Sequence, residues 1–92
     1  MSTYLVACDL KQTRINAAYD DIGQTIESLG HSWHCLDTAW IVQCNLPATQ
    51  ICSRLRPLLY DRDELFVAQL GGEFDWIGID PAAAKWLQKH LV

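Results

Sequence analysis

Thr3–Asp9 reads TYLVACD, and how this stretch is placed decides the fold. Side chains alternate across a strand, so Leu5, Ala7 and Asp9 share one face while Tyr4, Val6 and Cys8 share the other. Both faces are largely apolar, which predicts a central strand covered on both sides. The strand nevertheless finishes on an acid. Asp9 is therefore either a turn-former, bonding to backbone N–H groups beyond the strand, or a carboxylate kept at a strand tip for chemistry.

Working outward, KQTRIN (Lys11–Asn16) is a polar loop. Tyr19, Ile22, Ile26 and Leu29 then fall on one helical stripe, predicting a helix over Ala17–Leu29, with Asn16 as N-cap and Gly30 as stop. Ser32–Leu36 and Thr38–Cys44 predict two strands joined tightly around Asp37. In the second, Trp40, Val42 and Cys44 face one way and Ile41 and Gln43 the other. Pro47 starts a second helix with an Ala48, Ile51, Leu55, Leu58 stripe, and Pro57 kinks or tightens its last turn. Glu64–Leu70 is a fourth strand, ended by Gly71-Gly72, and Phe74–Ile79 a fifth. Asp80-Pro81 starts a last helix with Ala83, Trp86, Leu87 and His90 or Leu91 on its apolar side.

This order predicts an α+β chain: the ferredoxin-like βαββαβ plan with an additional C-terminal strand and helix, in one domain over residues 1–92. Two helices cover one face of such a sheet. The last helix, or a second copy of the sheet, must cover the other. Four Trp in 92 residues are hard for a small monomer to hide, and together with the open face they predict a homodimer.

Half of the residues are hydrophobic, which is a globular composition. A net charge of -4 argues against a broadly basic nucleic-acid surface, while leaving room for a local basic patch. No apolar run approaches the ~20 residues of a membrane span, and no basic segment precedes a long apolar one, so a cytoplasmic location is expected. Cys8, Cys35, Cys44 and Cys52 form no C-x-x-C pair and read as small buried hydrophobes.

YLVACDL, HCLDTAWIV and DELFVAQLGGEFDWIG resemble, over nearly the whole chain, the SinR-like family, related in fold to the Cas-two family of CRISPR-associated proteins and to the toxin-like VapD proteins. The resemblance implies a homodimer in which two copies of the first-strand acid, here Asp9, face each other across a symmetric interface. In some relatives that pair is proposed to bind a divalent metal and support phosphodiester cleavage; in others the protein is a scaffold; the VapD relatives cleave RNA. It thus implies association with RNA or DNA and, where the chain is an enzyme, a metal-dependent endonuclease. The alternative is a non-catalytic dimeric module that binds a protein or ligand.

Asp9 from two chains would suit Mg²⁺, which needs only one or two carboxylates, and Lys11 and Arg14 in the adjoining loop could position a phosphate. Other polar residues point elsewhere. His31 and His34 are an odd number of residues apart on a strand, so they form a poor metal pair. Asp61, Asp63 and Glu64 in YDRDEL read as a solvated turn partly balanced by Arg62. Trp33, Trp40, Phe74 and Trp76 could stack on single-stranded nucleic acid, but the basic framing is missing, so core or interface packing is the better account.

Overall fold

The strand expected over Thr3–Asp9 forms as β1 (Ser2–Asp9) in the computed structural model, which describes residues 1–11 and 17–91, without the side-chain surroundings of Ala17, Ala18, His90 and Leu91. Helix α1 (Ala17–Glu27), strands β2 (His31–Leu36) and β3 (Ala39–Cys44), helix α2 (Ala48–Leu55), β4 (Glu64–Gln69) and α3 (Pro81–Leu91) follow. The four strands make one antiparallel sheet in the order β2-β3-β1-β4, so β1 is central, as its two apolar faces require. The described residues make a small α+β fold of four strands and three α-helices, compatible with the ferredoxin-like plan.

The first face carries Tyr4, Val6 and Cys8 of β1 beside Trp40, Val42 and Cys44 of β3, with Leu65 and Val67 of β4 in the same register. Helix α1 packs on β2 and β3, and α2 on β4. The α1 stripe delivers Ile22 and Ile26, and the α2 stripe Ile51 and Leu55; all four are fully buried. Pro57 lies in a single 3-10 turn, Arg56–Leu58, that tightens the end of α2. The N-cap expected at Asn16 lies outside the described residues.

Gly30 follows α1 for a reason the sequence did not reveal. Its φ is not positive, and a Cβ there would collide with the carbonyl oxygen of Gln43. The glycine is needed because the β2 lead-in passes against β3, not because the helix ends in a left-handed cap.

The second face is covered by α3, one of the two covers anticipated. Trp33, Ile41, Leu5 and Ala68 form one cross-strand row there. The ring of Trp86 lies 6.4 Å from that of Trp33, and Ala83 and Leu87 on the same side of α3 are buried. The next row, Leu36, Ala39, Ala7 and Phe66, is less well covered: Leu36 is 62% and Phe66 64% exposed.

The expected fifth strand over Phe74–Ile79 does not form here. Gly72 and Gly78 both have φ of 76°, turning the chain at each end. The Asp75 carboxylate also takes the backbone N–H of Trp76 at 2.8 Å, a donor that a ladder would need. The segment pairs with no strand, with Ile77 98% exposed and the rings of Phe74 and Trp76 stacked 6.0 Å apart.

Candidate functional site at the tip of the first strand

Asp9 ends β1 directly opposite Glu64, the first residue of β4. Antiparallel pairing of the two strands makes this juxtaposition unavoidable. Two carboxylates side by side repel unless a cation intervenes. Lys11 supplies it: its ammonium Nζ lies 2.7 Å from Asp9 Oδ2 and 2.9 Å from Glu64 Oε1. The hydrogen bonds it donates, to Asp9 first and Glu64 second, hold its pKa well above the usual lysine range.

The turn-forming role anticipated for Asp9 belongs to Asp63. One Asp63 oxygen accepts the backbone N–H of Lys11 at 3.0 Å and the other that of Tyr60 at 2.7 Å. A backbone bond from Asp63 N–H to the Tyr60 carbonyl closes the same turn. Asp63 thereby ties the loop after β1 to the loop before β4, and Asp9 is left with its side chain 61% exposed. Leu10 is fixed from the other direction, its N–H donating to the Tyr19 hydroxyl at 3.3 Å.

Below Asp9 the surface turns apolar. A shallow groove of about 350 Å³ is lined by Ala7, Cys8, Asp9, Glu64, Leu65 and Phe66. The Cys8 thiol points to the core face and its pKa is pushed up to about 11 by burial and then by the Asp63 and Asp9 charges, so it is not a nucleophile near neutrality. All four cysteines are free thiols.

The structure brings Asp9, expected to hold a metal, and Lys11, expected to position a phosphate, into one ion pair, and engages the Lys11 ammonium with two carboxylates. Arg14, the other expected phosphate ligand, lies outside the described residues. Glu64, which the sequence groups with a solvated turn, is the neighbour of Asp9, because the end of one antiparallel strand meets the start of its partner. His31 and His34 do separate: His31 shares the face of Trp33, whereas the His34 ring stacks on Trp40. The four aromatics make no common platform, since Trp40 is buried in the first-face core while Trp33 meets α3 on the second. Among the described residues no group of three or more His, Cys, Asp and Glu side chains is placed to hold a metal ion, and no helix is long and apolar enough to cross a membrane.

No family model and no curated protein matches this chain.

Proposed function

We propose that the chain is a ferredoxin-like, homodimeric protein of the SinR-like and Cas-two kind, associated with RNA or DNA in the cytoplasm, and that it hydrolyses phosphodiesters with Mg²⁺ held by Asp9 of both protomers. One observation carries this reading: Asp9 stands exposed at a strand tip beside a cation, instead of being used up in turn hydrogen bonds. The donor chemistry suits the ion, as Asp9 offers an exposed carboxylate oxygen pair and Glu64 a second one alongside. Bound there, Mg²⁺ would supply Lewis-acid polarisation of a phosphate oxygen. Lys11, beside the tip, would offer its ammonium to a phosphate as a point-charge contact. The exposed Leu36 and Phe66 of the under-covered row, and Ile77 beyond, are apolar surface of the kind a second copy buries.

The test is cleavage of RNA and DNA with and without Mg²⁺. The expected result is Mg²⁺-dependent cleavage that Asp9→Asn lowers by about a hundredfold or more, the scale of losing a charge-stabilising group. Equal cleavage by the variant removes the role.

A second reading, a non-catalytic dimeric interaction module, is favoured by the same Lys11 bridge, which neutralises both carboxylates within one chain. It predicts no cleavage under any metal, with self-association retained.

A further inference from the structure

A groove on the opposite side of the sheet, between α1 and β2, is built for a different ligand. It encloses about 340 Å³ and is lined by Tyr19, Asp20, Gly23, Gln24, Glu27, His34 and Trp40. Its floor is Trp40, only 2% exposed. The indole Nε1–H of Trp40 has no hydrogen-bond acceptor among the described residues, and a buried donor left unpaired is costly enough to require an explanation.

Nε1 is directed at Gly23. A Cβ added there would sit 3.4 Å from it, the nearest heavy atom. A glycine in the middle of a helix is unfavourable, and here it opens a way to the indole N–H that any other residue would narrow. Asp20 and Glu27 stand three residues before and four after Gly23, so they flank this opening on one helix face. The described part of α1 holds no basic residue, and neither acid has an ion-pair partner among the described residues. The wall is the His34 ring, stacked on Trp40 with centroids 4.4 Å apart and planes at 10°. Its Nε2 bonds the Asp37 carbonyl at 3.0 Å, so Nε2 carries the proton and the ring is fixed in place.

A donor at the floor requires an acceptor on the ligand; two carboxylates at the rim require a positive charge. We infer that the α1–β2 groove binds a small organic ammonium that also carries an oxygen acceptor, the ammonium lying between Asp20 and Glu27 and the oxygen accepting from Trp40 Nε1–H. The size suits one sugar-sized molecule.

The site is independent of Asp9 and is tested separately. The protein labelled with ¹⁵N is titrated with glucosamine (charge and acceptors), glucose (acceptors only) and cyclohexylammonium (charge only), following the four indole N–H signals, with that of Trp40 assigned by its proximity to Gly23. The expected result is a saturable shift of the Trp40 signal with glucosamine, weaker by about tenfold or more with either control. Gly23→Ala and the double variant Asp20→Asn/Glu27→Gln should each weaken binding by a similar factor, with the thermal midpoint of Gly23→Ala unchanged or raised. No saturable response to glucosamine, an equal response to either control, or undiminished binding by Gly23→Ala overturns the inference and leaves water as the partner of the indole.

Discussion

The two faces of the sheet are built from the same strands and finished to different standards. On the first, α1 and α2 seal Val6, Val42, Ile22, Ile26, Ile51 and Leu55 to zero exposure. On the second, Ile41 and the Ala83 and Leu87 of α3 are buried and Trp86 meets Trp33, yet Leu36 and Phe66 one row away stay mostly exposed. A single helix is narrower than a four-stranded sheet, so one helix cannot repeat what two achieve. The sealed face accounts for folding; the other face leaves an apolar margin open, with Asp9 and Glu64 at its end.

Truncation should separate the faces most sharply. Ile51→Ala, on the sealed face, is expected to cost about 2–5 kcal/mol in denaturant unfolding, since a packed surround cannot collapse into the hole. Leu87→Ala should cost less, about 2 kcal/mol, because α3 can settle toward the sheet. Equal losses would mean that α3 is packed as tightly as the other two helices.

Alkaline pH probes the sealed face through Cys8. Its thiol is raised from 9.0 to about 11 in the folded chain, so the folded state holds its proton while the unfolded state loses it. Stability should be flat below about pH 9 and fall between pH 9 and about 11, by linkage. Cys8→Ala should flatten that fall, leaving the parts due to Cys35, whose thiol is also raised by burial, and, at the upper end, to Lys11, whose ammonium is held protonated by Asp9 and Glu64. An unchanged slope would mean that the Cys8 thiol meets water.

Smaller effects sharpen the same contrast. Gly23→Ala should stabilise the protein by up to about 1 kcal/mol, because the helix gains propensity and the new Cβ meets Trp40 at 3.4 Å without collision. Phe66→Ser should change monomer stability by no more than about 0.5 kcal/mol, since the ring is mostly exposed, while weakening any self-association seen by sedimentation. A large loss of monomer stability would place Phe66 within the core.

The fold was legible where periodicity and punctuation agreed. The alternation in TYLVACD placed β1 centrally, the 3.6-residue stripes of α1 and α2 named their buried isoleucines, and Asp80-Pro81 marked the start of α3. It was not legible at Phe74–Ile79, whose aromatic and β-branched residues have strand propensity but whose glycines and Asp75 side chain take the backbone elsewhere. At the candidate site, sequence order alone puts Lys11 in the loop beside Asp9, but not the ion pair they form. The part of Glu64 required knowing that β1 and β4 are neighbours, and the exchange of turn duty from Asp9 to Asp63 depended on which of several adjacent acids reached the Lys11 and Tyr60 amides. The open indole of Trp40 has no sequence signal except a glycine inside an otherwise regular helical pattern.

The most direct test of the central claim is a Mn²⁺ titration of the ¹⁵N-labelled protein, with Mn²⁺ as a paramagnetic stand-in for Mg²⁺. If two strand tips share one cation, the amide signals of Asp9, Leu10 and Glu64 should broaden first, saturating at one ion per two chains, and Asp9→Asn should abolish the effect. Uniform weak broadening, or a full ion per chain that persists in the variant, would contradict it.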